Sequence, residues 1–212
     1  MYVEKPATHN MHENELIVAA QKKYGKVVQM GNQQRSSPHT QEALRMVREG
    51  LIGRLYMGKA FYANTRGPIG RGKPAPVPDW LDWDLWQGPV DRRQYSRAYV
   101  PVRWRGWWDY GCGSLGDIGC HTFDAPFWVL DLGMPDKVEV ERDEPPGPGY
   151  ITMSSVVTYH FPARGDKPPV TLKWYERGRE VPKPKGWEED KPLPEEGGMY
   201  MTGSEETLFH PG

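Results

Sequence analysis

The segment from Gly111 to His121 holds the residue types best suited to chemistry, because an aspartate and a histidine stand four apart at the start of a predicted helix. Ser114 is a favourable N-cap, with Asp117 at the third helical position. Side chains four residues apart share a helix face, so Asp117 and His121 are expected to lie together. The helix dipole keeps Asp117 ionised and biases His121 toward neutral imidazole, although the Asp117 charge opposes the second effect. A neutral histidine beside a carboxylate fits a general base at neutral pH.

A purely structural interpretation of this segment stays open. Asp117 would then only cap the helix, and His121 would be a buried polar residue with satisfied hydrogen bonds. Spacing alone favours this alternative, because short motifs often match by chance. Cys120 beside His121 resembles half of a metal site, but no second pair completes it, so no metal is expected.

The same segment also contains a G-x-G-x-x-G pattern, formed by Gly111, Gly113 and Gly116. In a dinucleotide-binding turn, a buried strand stands immediately before the first glycine. Here the preceding residues 103–110 are bulky and charged and include an internal glycine. The pattern is therefore not interpreted as a cofactor-binding turn.

A lysine follows the first predicted strand, in the sequence Glu4-Lys5-Pro6. A side chain at the carboxyl end of a parallel strand points into the crevice where open α/β sheets bind ligands. The ammonium group of Lys5 could there orient a hydroxyl or polarise a developing carbonyl oxygen. The alternative is a surface lysine that precedes a helix.

The first 31 residues predict one βαβ unit of a parallel sheet. Asn10 and Glu13 form a capping-box signature, and Gly25 is well placed to end the helix. The strands are expected within residues 2–6 and 26–30. The apolar positions at helical spacing are Leu16, Ile17, Ala20 and Tyr24.

The remaining residues predict a mainly antiparallel sheet with helices. Ser37 and Pro38 suit the start of a second helix that Gly50 ends, and a third helix is expected over residues 114–132. The later strands have no helices between them and should pair antiparallel. Strands are expected at 55–65, 137–141, 151–161, 170–176 and 198–202, with Gly- and Pro-rich loops at 66–79, 142–149 and 181–194.

Charge and composition narrow the classes of partner. The 212 residues carry 27 basic and 28 acidic side chains, a net charge of −1, so no nucleic-acid or membrane partner is expected. No apolar run reaches the roughly 18 residues that a membrane helix needs. The expected location is cytoplasmic, and an export signal upstream of Met1 would change it.

These features together resemble the Gfo/Idh/MocA oxidoreductase family. The resemblance rests on an ordered set of segments rather than on one motif, and it covers nearly the whole chain. Those segments are residues 4–6, 27–35, 50–55, 81–89 and 113–121.

The resemblance implies an α+β chain. Residues 1–35 would be the last βαβ unit of a Rossmann domain. Residues 36–212 would be a substrate-binding and oligomerisation domain, built on a large, mainly antiparallel open sheet with helices on one face.

The resemblance also implies an activity and the residues that support it. The substrate would be a hydroxyl carbon of a sugar, cyclitol or related polyol, and the cofactor NAD or NADP. Catalytic roles fall on Lys5, Asp117 and His121. Expected cofactor contacts are Glu4, Lys5, Pro6 and Gln34, and expected substrate contacts are Gln33, Arg35, Trp86, Asp117 and His121.

Two of these substrate contacts have structural alternatives. Trp80, Trp83 and Trp86 are spaced to share one helical face, and such a face can stack on a sugar ring or anchor the helix on a sheet. Arg35 can reach the pocket or stay solvated at a helix start.

The sequence departs from the family pattern at its beginning. The family's glycine-rich fingerprint lies upstream of the Glu-Lys-Pro motif and is absent here, so the chain is interpreted as N-terminally truncated. It is not expected to bind NAD or NADP well alone, and it is expected to form a homo-oligomer through the open sheet face. The alternatives are an NAD-dependent glycoside hydrolase on the same scaffold and a non-catalytic sugar-binding or oligomerisation module.

Overall fold

The fold is described by a computed structural model. It covers residues 1–62, 72–142, 149, 151, 154–176 and 179–211. The predicted loop at 66–79, the end of the strand predicted at 55–65 and most of the loop at 142–149 fall partly or wholly outside these residues.

The chain begins with a small parallel sheet, in which β1 (Tyr2–Val3) pairs with β2 (Gln29–Met30). Helix α1 (Met11–Tyr24) joins the two strands, as the local signals predict. The Asn10 side chain accepts a hydrogen bond from the Glu13 amide at 3.1 Å. Gly25 ends the helix in the left-handed region, with φ of 59°.

Helix α1 lies on the surface with no buried residue. Its predicted apolar face is correctly placed on the helix, but Leu16 is 53% exposed and Tyr24 is 63% exposed. That face is therefore largely exposed, and of its predicted apolar positions only Ile17 is partly buried within the described ranges.

A six-stranded sheet forms the body of the molecule, in the strand order β4-β5-β6-β3-β7-β8. Neighbouring strands run antiparallel except β3 and β6, which are parallel with Ala60 opposite Trp174. The prediction of a large, mainly antiparallel sheet is thus confirmed. The strands are β3 (Met57–Phe61), β4 (Lys137–Arg142), β5 (Ser155–Phe161), β6 (Val170–Tyr175), β7 (Gly198–Thr202) and β8 (Thr207–Pro211).

The main core lies between one face of this sheet and the helices α2 (Pro38–Arg48) and α5 (Asp124–Leu130). Leu44 of α2 and Val129 of α5 pack in this core with Leu172 of the sheet. Ser37 and Pro38 begin α2 as predicted, because the Ser37 hydroxyl accepts a hydrogen bond from the Thr40 amide.

The opposite sheet face is partly covered by the segment 181–193. Val181 and Leu193 pack there against a cluster that includes Phe61, Tyr175 and Tyr200. Self-association through this face remains a prediction. In the part of the chain that the structure describes, no helix is long and apolar enough to cross a lipid bilayer.

The structure refines three parts of the prediction. The helix predicted at 114–132 is found as consecutive helical stretches, a π turn (Leu115–Gly119), a short α4 (Cys120–Thr122) and α5, which ends at Leu130. Trp80 lies outside α3 (Trp83–Gln87), because Asp82 caps that helix and fixes its start. The strand β8 was not predicted.

Candidate active site at the π turn

Lys5 extends from the end of β1 toward the π turn. A tight turn presents it, with the Ala7 amide donating to the Glu4 carbonyl at 2.8 Å. Ala7 has φ of 76°, a left-handed conformation that strains a residue with a Cβ atom. The Lys5 ammonium donates to the Asp117 carboxylate oxygen Oδ1 and to the Asp117 carbonyl, both at 2.6 Å. The fold thus joins two predicted site residues that are 112 positions apart.

A second cation, Arg105, shares the same carboxylate. Its Nε atom lies 2.9 Å from Asp117 Oδ2, and its guanidinium stacks on the Trp104 ring at 4.5 Å. The close approach depends on Gly111, since a Cβ atom there would lie 2.5 Å from the Arg105 backbone. The sequence analysis did not identify Arg105, and the only available signal was the basic character of the residues that precede Gly111.

Ser114 is not the N-cap of this helix, which corrects the predicted capping box. It has helical dihedral angles and makes no side-chain cap hydrogen bond, because the helix already begins at Gly113. The Asp117 carboxylate contacts Lys5 and Arg105 in charge-assisted interactions. Asp117 is buried, with 8% of its surface exposed.

His121 lines a different cavity from that of Lys5 and Asp117. The larger cavity has a volume of about 620 Å³, and both Lys5 and Asp117 line it together with Tyr110 and Cys112. The smaller cavity has a volume of about 170 Å³, and His121 lines it with Gln33 and Gln34.

The π turn and α4 form one helical wall that carries both Asp117 and His121. The π turn closes i→i+5 hydrogen bonds and leads directly into α4, which contains His121. The charge of Asp117 raises the pKa of His121, so the two side chains lie near each other although they line different cavities. Their shared role in one site stays a prediction.

The environment of His121 favours neutral imidazole. Burial lowers the pKa of His121 below its ordinary value of 6.5, and the nearby Lys5 ammonium lowers it further, while Asp117 and Asp124 oppose the shift. The neutral form therefore predominates at pH 7, as a general base requires.

We expect the substitution Lys5→Met to raise the pKa of His121, because it removes one of the two influences that lower it. The measurement is an NMR titration of the imidazole in the wild type and the variant. Lys26→Met removes an exposed lysine of the same N-terminal unit and should leave the titration of His121 unchanged. An identical titration in Lys5→Met would place the Lys5 ammonium too far from His121 for a shared role.

Polar residues after β2 contact the helix beyond Asp117. The Asn32 side-chain amide donates to the Cys120 carbonyl at 3.4 Å. Arg35 makes two hydrogen bonds to Asp124, at 2.8 and 2.6 Å, and stacks on the Trp128 ring. Arg35 is thus held in an ion pair and lines neither cavity described above. Its expected role as a substrate contact stays a prediction.

Trp86 belongs to an aromatic cluster. Its ring stacks on Trp83 with centroids 5.0 Å apart and contacts Tyr110 at 4.9 Å. Tyr99 and Trp107 complete the cluster beneath Trp83. These contacts agree with the anchoring alternative, and Trp86 lines neither of the two cavities. Its expected role as a substrate contact stays a prediction.

The expected cofactor contacts divide between the two cavities. Glu4, Lys5 and Pro6 line the larger one, whereas Gln34 lines the smaller one. The larger cavity has room for a nicotinamide ring and offers polar groups around it, so these residues fit that end of NAD or NADP.

The Gly111–Gly116 segment lacks the local structure of a dinucleotide-binding turn. The residues before Gly111 form a 3-10 turn (Arg103–Gly106) and further turns, rather than a strand. The amides of Gly111 and Gly116 donate to the carbonyls of Trp107 and Cys112, at 2.8 and 3.3 Å. In a dinucleotide-binding turn such amides would instead point to the pyrophosphate.

A comparison with models of known families found one match. Residues 65–161 match the oxidoreductase family C-terminal alpha/beta domain of the Gfo/Idh/MocA group. This part of the chain is therefore similar to the C-terminal domain of the Gfo/Idh/MocA oxidoreductases. The matched range includes Asp117 and His121. A search of curated proteins found no significant match.

Solved structures share the fold of this chain at low sequence identity. The WlbA dehydrogenase from Bordetella pertussis, in complex with NADH and UDP-GlcNAcA, is 17% identical with a TM-score of 0.58, over 98% of this chain and 47% of its own. The myo-inositol dehydrogenase from Lactobacillus casei, in complex with NAD(H) and myo-inositol, is 14% identical with a TM-score of 0.54, over 100% and 47%. The aldose-aldose oxidoreductase from Caulobacter crescentus, complexed with glycerol, is 18% identical with a TM-score of 0.57, over 99% and 55%. The chain thus spans about half the length of these neighbours.

Proposed function

We propose that this chain supplies the substrate side of an oxidoreductase that oxidises or reduces a hydroxyl carbon of a sugar, cyclitol or related polyol with NAD(H) or NADP(H). The observation that carries the proposal is the contact of Lys5 with Asp117 at 2.6 Å, between a strand end and a helical wall. A structural role for either residue alone would not require this contact. The solved neighbours named above, in complexes with NAD(H), NADH or small polyols, support the same reaction class.

The reaction moves one hydride and one proton. In the oxidative direction the hydride leaves the carbinol carbon for the nicotinamide ring, which is the chemistry that the cofactor supplies. His121 accepts the hydroxyl proton through its neutral imidazole. Lys5 donates a hydrogen bond to the same oxygen as it becomes a carbonyl, and Asp117 holds Lys5 in place.

The two cavities suggest how the substrate lies. His121 and Lys5 line different cavities, but the Lys5 charge acts on His121, so the substrate would lie where the two cavities approach each other. Its reacting carbon would lie between the two side chains, with the remaining ring hydroxyls in the smaller cavity. The nicotinamide would then take the larger cavity beside Glu4, Lys5 and Pro6.

We also propose that residues 1–35 are the last βαβ unit of a nucleotide-binding domain and that residues 36–212 form the substrate domain. The uncovered apolar face of α1 supports this division, because a helix of a βαβ unit normally packs on a wider sheet. Self-association through the sheet face opposite α2 and α5 is part of the same proposal.

The proposed function is tested on the chain joined to a nucleotide-binding domain, with NADH formation followed by absorbance. We expect neutral polyols to reduce NAD, and aryl glycosides to be left intact. Release of the aryl alcohol without net NADH formation would instead indicate the glycoside hydrolase. Sugar binding with no reduction of NAD or NADP by any polyol would indicate a binding module and contradict the proposal.

A further inference from the structure

The smaller cavity contains an acidic residue that the proposed reaction does not use. Glu196 lies at its edge, opposite a wall that includes His121. The other polar residues of this cavity are Gln33, Gln34, Tyr62 and Thr122. Amide, hydroxyl and carboxylate groups together can both donate to and accept from the hydroxyls of a polyol.

The backbone turn that contains Glu196 lies against the end of β3, although the Glu196 side chain is exposed. The Gly197 amide donates to the Pro194 carbonyl at 3.2 Å, which closes a turn that contains Glu196. Gly197 has φ of 107°, and a Cβ atom there would lie 2.6 Å from the Phe61 carbonyl oxygen. Only glycine allows this approach, so the position of Glu196 beside the cavity is built into the fold.

The described lining of this cavity includes one carboxylate and no lysine or arginine, and His121 is predominantly neutral. The two nearby cations are already paired, Lys5 with Asp117 and Arg35 with Asp124. A carboxylate or phosphate on a ligand would therefore lie near the Glu196 carboxylate at the exposed edge of the cavity, where the repulsion is screened by solvent but not removed.

We propose that the smaller cavity binds the uncharged polyhydroxyl part of the substrate and that Glu196 selects neutral sugars or polyols against acidic ones. The proposal rests on the proposed function and adds the substrate class to it. Glu196 accepts hydrogen bonds from ring hydroxyls, and it repels a uronate or a sugar phosphate. The preference is thus set by both an attractive and a repulsive contact.

The test measures the binding of matched sugars to the chain itself. Glucose and galactose are compared with glucuronate and galacturonate, which share each ring and differ in charge at one carbon. Binding is followed by NMR through the signals of the His121 imidazole and the Gln33 and Gln34 side-chain amides. We expect at least one neutral sugar to bind roughly ten-fold more tightly than its uronate, the size of one solvent-screened like-charge contact.

The variant Glu196→Gln keeps the shape of the side chain and removes its charge. It should bring the affinities for the neutral sugar and its uronate to within roughly two-fold, mainly through tighter binding of the uronate. Glu195→Gln is the matched control, because Glu195 is the adjacent exposed carboxylate and does not line the cavity. It should leave the preference unchanged.

Three results would overturn the proposal. The first is uronate binding as tight as that of the neutral sugars in the wild type. The second is an unchanged preference in Glu196→Gln, and the third is no shift of the cavity signals with any of the four sugars. Failure of the proposed function is a separate outcome. It would appear as absent NADH formation even when the cavity binds neutral sugars with the Glu196-dependent preference.

Discussion

Replacing His121 with alanine should lower the turnover of a polyol substrate by roughly 10²–10⁴-fold, the usual contribution of a general base. The reason is that no other described residue lining the His121 cavity is a neutral base suited to take a hydroxyl proton near pH 7. The affinity for the cofactor should stay nearly unchanged, because the residues that line the larger cavity are not altered. The measurement is steady-state NADH formation by the chain joined to a nucleotide-binding domain.

The pH profile separates a catalytic role of His121 from a packing role. The wild-type rate should fall at acid pH as the imidazole gains a proton, and the residual rate of His121→Ala should lose that dependence. His39→Ala is the matched control, since His39 is exposed on α2, away from both cavities. Equal turnover in the wild type and His121→Ala would exclude His121 as the base.

We expect Asp117→Ala to lower the free energy of unfolding by roughly 2–4 kcal/mol. The substitution leaves Lys5 and Arg105 close together without the carboxylate that both contact. Breaking a buried ion pair costs more than its contacts contribute, because the remaining charge is poorly solvated. The expected cost lies below that of a fully buried pair because 19% of the Lys5 side chain and 29% of the Arg105 side chain are exposed. Denaturant unfolding gives the measurement.

Two further variants test the origin of this loss. Adding Arg105→Gln to Asp117→Ala should restore part of the stability, because it removes one of the two unpaired cations. Glu42→Ala, which breaks an exposed ion pair with Arg45 on α2, should have only a small effect. If Asp117→Ala were no more destabilising than Glu42→Ala, the ion-pair account of the site would be wrong.

The sequence predicts those parts of the fold whose signals are local. The bounds of α1 follow from Asn10 at its start and Gly25 at its end, and both residues act within one turn of the backbone. The sheet could be predicted as mainly antiparallel, because no helices separate the later strands. The strand β8 was not predicted, because its pairing with β7 is set by tertiary packing rather than by a strong local pattern.

The candidate site shows where spacing stops being informative. The contact of Lys5 with Asp117 joins residues distant in sequence, and only the family resemblance indicated it. The π turn depends on hydrogen bonding that no short pattern marks, so the sequence indicated neither the turn nor the separate cavities that Asp117 and His121 line. Arg105 could not be predicted because its approach depends on Gly111 and on the path of the chain around it.

The absence of buried residues in α1 has a consequence for how the site assembles. The N-terminal βαβ unit and the turn after it contact the rest of the chain mainly through ionic or polar groups. Examples are the pairs Lys5–Asp117 and Arg35–Asp124. Such a unit should open at a lower free energy than the sheet, with backbone amides that exchange with solvent hydrogen earlier than those of β5 and β6. Rising ionic strength should promote that opening, because salt weakens partly exposed ion pairs. When the unit opens, Lys5 moves away from Asp117. The fraction of molecules in which Lys5, Asp117 and His121 lie together should therefore decrease as the salt concentration rises.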